Sequence, residues 1–451
     1  MMSHKRAVPT DHDRPETYPV YEQVQRLPLA GDPEPVLCGV KGTGMDTYFP
    51  DGQILHHDLA GRLLRIAQPN VQWRRGLSGR MIELRRRTSE RGGGLERRVL
   101  SDAEHDHQVR AAAARMQQVA DVARGRAAPC GPDAGATVRP AAALGDLVTA
   151  AARFDVDAAH RDVAQFRTLY HDIPILPPDQ YSSLVLVATD GCRYNQCTFC
   201  GLYRGASYHA KTPDEFQAHV AAALVYHGRS LALRRGIFLG QANALLGPRP
   251  WREEILRVVQ HACELPSPDT TVSADWWQGS LSRFTGITSF LDAFVGARIS
   301  AEEFAAMRQY NLRQIYIGME SGADPLLRWL RKPATAEHMV ATVRAAKAGG
   351  LRVGVIVLVG AGGERFFAEH VQETVAVIRA MGLGKGDYVY LSPLVAARGA
   401  PYAQLAAAEH IQALTPARLA AQEQLLRQGL ATAPATGGPY VARYDVELFV
   451  Y

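Results

Sequence analysis

The sequence predicts an α/β protein: a partial (β/α)6 barrel preceded by a small N-terminal α+β module. Three observations carry that expectation. From about Tyr181 onward, six short and nearly continuous apolar runs alternate with helix signals, the pattern of parallel strands covered on both faces. Ahead of them, residues 43–88 hold short alternating runs broken by Gly76, Ser78 and Gly79, the pattern of antiparallel strands and turns. The chain of 451 residues is 47% hydrophobic and 21% charged, enough for more than one core.

Residues 1–30 are polar, Pro-bearing and aperiodic and read as a tail. Residues 31–125 form the β-rich and helical module, ending in the helical run AEHDHQVRAAAARMQQVADVARG. Residues 126–175 read as a Gly-, Pro- and Ala-rich linker followed by a helical lead-in. The barrel core is expected over 176–400. Its strands are LVLVAT (184–189), IFL (237–239), FLDAFV (290–295), QIYIG (314–318), VGVIVLV (353–359) and YVYL (388–391). Helices between them start at capping signals: Thr212 with Glu215 and Pro213, Ser300 with Glu303, and Thr335. One stops at Gly349 and Gly350, another at Gly382; the latter helix places Phe367, Val371, Val375 and Ile378 on one face. The loop 266–286 interrupts the pattern with Trp276 and Trp277, which either pack or serve the site. Residues 401–451 read as a C-terminal helix and extension that could cover the open side of the barrel.

The net charge is 50 − 45 = +5, too mild to argue for nucleic acid or membrane. No apolar leader and no run of about 18 apolar residues is visible. The expected location is the cytoplasm, where thiols stay reduced and clustered cysteines act as metal ligands rather than disulfides.

Three of the six cysteines lie in GCRYNQCTFCGLYR: Cys192, Cys197 and Cys200. They follow the first core strand, at the edge where barrels keep their chemistry. Closely spaced thiolates suit zinc or an iron–sulfur cluster. Structural zinc wants four ligands, and neither a second cysteine pair nor a suitably spaced histidine follows. Three thiolates leave one iron of a [4Fe–4S] cluster open. Cys38, Cys130 and Cys263 are scattered and read as incidental thiols.

This loop resembles the cluster-binding loop of the radical S-adenosylmethionine (radical SAM) superfamily. It departs from the usual spacing in one respect: four residues, Arg193 to Gln196, separate the first two cysteines rather than three. The resemblance covers about residues 176–400. Gly240 and Gln241 in IFLGQANALL match loosely the family's Gly-Gly-Glu-like turn for the methionine amino group, the acidic residue being absent. YIGMESGADPLLRWLRK is similar to the Gly-x-Glu-Ser element of the branch that includes anaerobic coproporphyrinogen oxidases and tRNA-modifying enzymes. The match implies Glu320 and Ser321 near the ribose or amino-acid moiety of S-adenosylmethionine, with Lys332 or Arg331 meeting its carboxylate. Gly360 to Glu364 resemble the adenine-side turn, and Phe199 would pack against the adenine region. The resemblance thus implies a [4Fe–4S] cluster on the three cysteines, S-adenosylmethionine on the fourth iron, and a 5′-deoxyadenosyl radical that abstracts hydrogen from a substrate. It also implies an electron donor such as flavodoxin or ferredoxin. No second cysteine set suggests an auxiliary cluster, and no cobalamin-binding domain is recognised.

Residues 74–98 carry nine Arg against three Glu. Such a stripe can bind phosphates or RNA, but a solvated hairpin face is the favoured reading. The competing function is a non-catalytic zinc- or cluster-stabilised binding protein that uses this Arg-rich module.

Overall fold

A computed structural model describes residues 21–29, 34–87, 95–125, 144–265, 284–395, 399–431 and 437–451. Most of the expected tail, Cys130, the linker 126–143 and the Trp276–Trp277 stretch lie outside the described residues. The chain divides into two compact units: Met1–Phe166 with Gly228–Leu233 and Val450–Tyr451, and Arg167–His227 with Arg234–Phe449.

The first unit is built on an eight-stranded antiparallel sheet in sequential order. Its strands are β1 (Gln23–Leu27), β2 (Val36–Lys41), β3 (Gly44–Tyr48), β4 (Ile54–Asp58), β5 (Leu63–Gln68), β6 (Val71–Arg75), β7 (Met81–Arg86) and β8 (Leu95–Val99). Alternation sorts the residues onto two faces. Cys38, Thr47, Leu55, Ile66 and Trp73 are successive cross-strand neighbours and buried. Their cluster takes in Val109, Met116 and Val119 of α1 (Asp102–Gly125) and Leu147 and Val148 of α2 (Leu144–Ala152). It also reaches Ala159 of α3 (Val156–Tyr170). The residues read as a helical lead-in therefore contribute to this core. Asp46 and His56 are neighbours on the other face, where Asp46 accepts from Tyr21 at 2.9 Å and Lys41 at 2.8 Å and lies 2.6 Å from His56 Nδ1. Within the Arg-rich stretch, Arg85 and Arg98 pair with Glu83, Arg98 also with Glu104, and Arg75 is buried beside Asp162.

The second unit holds one all-parallel seven-stranded sheet. Along the sheet run β9 (Leu184–Val187), then β12 (Ile237–Gly240), β13 (Ile287–Phe290), β14 (Leu312–Glu320), β15 (Arg352–Val359), β16 (Tyr388–Pro393) and β17 (Tyr440–Arg443). Between β9 and β12, the short strands β10 (Thr189–Asp190) and β11 (His209–Ala210) pair antiparallel, and α4 (Pro213–His227) follows. The later connections carry α5 (Arg249–Ala262), α6 (Ala293–Gly296), α7 (Ala301–Gln309), α8 (Asp324–Trp329), α9 (Ala336–Ala348), α10 (Phe367–Met381), α11 (Tyr402–Ala408) and α12 (Pro416–Leu430). Five of the six expected strands are present where expected, the third is displaced, and the C-terminal extension adds a seventh.

Two local expectations are corrected. The third strand is Ile287–Phe290, not 290–295. Asp292 ends it by capping α6, its side chain accepting from Phe294 N at 2.8 Å. On α10 the buried line is His370, Thr374, Ile378 and Met381. Phe367, Val371 and Val375 are half-buried beside it, and Val375 packs on the bare Gly429 of α12. The capping boxes at Ser300 and Thr335 form, as does the Thr212–Glu215 exchange.

The barrel interior is aromatic. Phe238, Phe290 and Tyr316 pack with ring centroids 5.0–6.2 Å apart. Asp179, in the turn before β9, accepts from the buried Tyr316 and Tyr390 hydroxyls, the latter at 2.6 Å. Gln180 bonds Tyr316 and Thr288 at 2.8 and 3.0 Å, so the lead-in is fastened to three strands.

Candidate metal and cofactor site

The cysteine loop begins where β9 ends. Gly191 takes φ +69, and a Cβ there would lie 2.9 Å from the Ser207 carbonyl oxygen, so glycine is required. Asn195, at φ 46, turns the chain inside the four-residue gap between the first two cysteines. Its backbone N–H donates to Cys192 Sγ at 3.4 Å and its side chain donates to the Tyr203 carbonyl at 2.8 Å. Arg204 donates to the carbonyls of Cys200 and Cys197 at 2.9 and 3.0 Å. Thr198 bonds the Leu330 carbonyl after α8, and its own carbonyl accepts from Tyr402 N. The loop is thus tied on both sides before any metal enters.

All three cysteines are free and half-buried. Burial pushes the Cys197 thiol up to about 12 and raises Cys200 as well, so both are protonated without a metal. Among the described residues, the set of three His, Cys, Asp or Glu ligand atoms within 4.8 Å of one another is His105–Asp106–His160, not the cysteines. Thr189 Oγ1, Thr198 Oγ1 and Asn243 Oδ1, all following β9 or β12, are buried without a hydrogen-bond partner among the described residues. Such orphaned groups are what a bound polar ligand satisfies.

The second part of the site rises from β14. A register irregularity between Gly318 and Glu320 turns the strand end, and Glu320 sits at φ 63, an uncommon conformation for a non-glycine residue. Lys332 Nζ donates to Glu320 Oε1 at 3.2 Å and lies 3.6 Å from Asp292 Oδ2. A Cβ on Gly318 would fall 2.5 Å from Glu320 Oε1, so the bare glycine makes room for this pair. Burial works against the Lys332 ammonium, but Asp292 and Glu320 outweigh it and hold the lysine above its ordinary value. Burial raises the Glu320 carboxyl, with Lys332 opposing and Asp292 adding.

The structure therefore brings Cys197, Cys200, Glu320 and Lys332 into electrostatic contact. Gly240 ends β12, and the Gln241 side chain accepts from Gly191 N at 3.0 Å while donating to the Asp172 carbonyl at 3.1 Å. Gln241 thus braces the cysteine loop. Ser321 is fully buried; its hydroxyl accepts from Ala323 N at 3.0 Å and lies 2.8 Å from His370 Nδ1, which engages it inside the turn behind Glu320. Phe199 packs on the apolar cluster of Ala323, Leu326, Leu330, Leu358, Ala361 and Phe366. Arg331 is exposed, with φ 51. In the turn Gly360–Glu364, the N–H groups of Gly360 and Gly362 donate to Gln422 and Tyr402 at 2.7 and 2.8 Å, and Glu364 pairs with Arg418. The C-terminal helices hold that turn.

Sequence reasoning missed Asp292 and Arg204. The signal for Asp292 was a capping residue directly after a strand; Arg204 acts through backbone carbonyls and leaves no pattern. His105–Asp106–His160 does not suit a metal, because Arg75 Nε donates to His105 Nε2 at 3.2 Å. The proton is then on Nδ1, facing Asp106, whereas a ligating histidine offers that nitrogen to the metal and donates from the other. A cavity of about 470 Å³ beside α12 is lined by Val359, Pro393, Leu419, Glu423 and Arg427 among others, with no cysteine-loop residue in its wall.

Residues 186–376 match the family model described as Radical SAM superfamily. No curated protein matches the chain. Similar solved structures include the cobalamin-dependent S-adenosylmethionine radical enzyme OxsB (12% identity, 55% of this chain and 31% of that one, TM-score 0.33). Methylornithine synthase PylB is similar at 14% identity, over 63% of this chain and 75% of that one, with TM-score 0.36. Coproporphyrinogen III oxidase HemN from Escherichia coli is similar at 13% identity, over 59% and 56%, with TM-score 0.36. The chain spans about a third of the length of OxsB. Among the described residues, no helix is long and apolar enough to cross a membrane.

Proposed function

We propose that this chain, whose residues 186–376 are a radical SAM superfamily domain, is an enzyme that holds a [4Fe–4S] cluster on Cys192, Cys197 and Cys200 and binds S-adenosylmethionine beside it. Bound together, cluster and nucleotide supply a one-electron reductive cleavage of the sulfonium, giving a 5′-deoxyadenosyl radical that takes a hydrogen atom from the substrate. The observation that carries this reading is the pairing of two features on one rim. Three half-buried thiols follow the first parallel strand on one short loop, and beside them Lys332 is a buried ammonium shared by two carboxylates.

The chain's own residues do the positioning. Arg204, Asn195 and Gln241 fix the loop backbone so that the sulfurs need not reorganise when loaded. Lys332 has a donor left for the amino-acid carboxylate of the nucleotide, and Glu320 faces its amino or ribose groups. Ser321, with His370, shapes the turn that aims Glu320. Phe199 and its apolar cluster offer a dry wall to the adenine and keep water from the reacting atoms. A flavodoxin- or ferredoxin-like protein supplies the electron.

The test is anaerobic reconstitution with iron and sulfide, followed by reduction with dithionite in the presence of S-adenosylmethionine. Formation of 5′-deoxyadenosine that disappears in the Cys200→Ala variant supports the proposal. A protein that takes up zinc but no iron, or that carries a cluster yet never cleaves the nucleotide, overturns it.

A further inference from the structure

We propose that Asp292 is a specificity-determining positioning residue: with Glu320 it clamps Lys332 and leaves this rim one surplus negative charge, which selects the cationic S-adenosylmethionine over its neutral counterpart S-adenosylhomocysteine. The inference rests on the reading above that the nucleotide lies beside the cysteine loop.

The geometry fixes Asp292 at both oxygens. Oδ1 accepts from Phe294 N at 2.8 Å, which anchors the carboxylate to the first turn of α6. Oδ2 faces Lys332 Nζ at 3.6 Å. The lysine cannot follow Glu320 alone, because Glu320 rises from β14 and Asp292 from the connection after β13, and the ammonium lies between them. Lys332 and Glu320 side chains are 9% and 8% exposed, and Asp292 is 22% exposed, so solvent screens these charges only in part.

Two carboxylates against one ammonium leave a charge of minus one. The other groups facing the cluster of charges do not cancel it. Arg331 is exposed, and the cysteines add negative charge once they hold iron. S-adenosylmethionine carries a sulfonium, an ammonium and a carboxylate, a net charge of plus one. Loss of the methyl group removes the sulfonium charge and leaves net zero. A rim that needed only to meet the carboxylate would use Lys332 without a second acid. The second acid is explained by the sulfonium.

The experiment measures binding of both nucleotides to the reconstituted, unreduced enzyme by anaerobic calorimetry, alongside iron and sulfide content. Asp292→Asn keeps the shape and an excellent helix cap while removing the charge; Asp292→Ser keeps the cap and withdraws the reach. In both variants we expect unchanged iron content, S-adenosylmethionine affinity lower by about tenfold, and S-adenosylhomocysteine affinity within about twofold of wild type. Equal changes for the two nucleotides, or none, with the cluster intact, overturn this inference and leave the proposed function standing. A wild-type protein that loads no cluster or binds neither nucleotide overturns both.

Discussion

Replacing Lys332 by Met breaks a buried ion pair from one side. The lysine is 9% exposed and its partner Glu320 8%, so neither charge can turn to solvent. Removing one member of such a pair costs about 3–5 kcal/mol while the remaining charge stays buried. Glu320 escapes that cost by taking a proton, which makes the loss depend on pH. Its carboxyl is already raised above 4.5 by burial, and without Lys332, which lowers it, it rises further. A carboxyl whose folded-state pKa exceeds its unfolded value stabilises the fold below the unfolded value. That contribution is lost as pH rises through the folded one. The variant should therefore lie close to wild type near pH 5 and fall short by about 3–5 kcal/mol near pH 8. The assay is urea denaturation of the reduced, metal-free protein at both pH values, for wild type, Glu320→Gln, Lys332→Met and the double variant. The double variant should regain most of the loss at pH 8, since no charge is left unpaired on Glu320. An equal deficit at the two pH values, or a double variant no better than Lys332→Met, refutes the reasoning.

The other predictions concern the frame around the site. His370 is fully buried and burial lowers it from 6.5 to about 4, so its contribution is present above pH 6.5 and lost as pH falls toward 4. The shift amounts to about 3 kcal/mol, and His370→Gln should flatten that part of the stability–pH curve. Asp179→Leu should cost about 2–5 kcal/mol by orphaning the buried Tyr316 and Tyr390 hydroxyls; restored stability in the Asp179→Leu/Tyr316→Phe/Tyr390→Phe variant would confirm the cause. Gly318→Ala, whose Cβ would meet Glu320 Oε1 at 2.5 Å, should retain iron but lose S-adenosylmethionine affinity by about tenfold, read by calorimetry. Arg204→Ala should speed amide exchange at Thr198–Leu202 by about tenfold, because two carbonyl bonds from a guanidinium are lost.

Much of the second unit was legible because parallel strands buried on both faces write themselves as apolar runs, and capping residues punctuate the helices between them. The misplacement of the third strand shows the limit. FLDAFV is as apolar as its neighbours, and only the capping bond from Asp292 reveals that the chain has already turned into a helix. On α10, periodicity found the helix and its Gly382 stop but not its buried face, which depends on how α12 packs against Val375. Cysteine spacing and the Gly-x-Glu-Ser element located the site, since those residue types carry the chemistry directly. The supports were hidden for different reasons. Arg204 works on main-chain oxygens, Asp292 is distant in sequence from Lys332, and Gln241 matters for two backbone partners rather than for its place in a turn. In the first unit, alternation predicted strands, but the number of them and their core with α1 and α2 depend on contacts across more than a hundred residues.

The central claim is that three sulfurs leave one iron for the nucleotide to occupy. Electron paramagnetic resonance of the reconstituted, reduced protein, recorded with and without S-adenosylmethionine, tests it most directly. The account predicts an iron–sulfur signal whose g-values shift when the nucleotide is added. A signal identical in both samples, or no iron–sulfur signal at all, contradicts it.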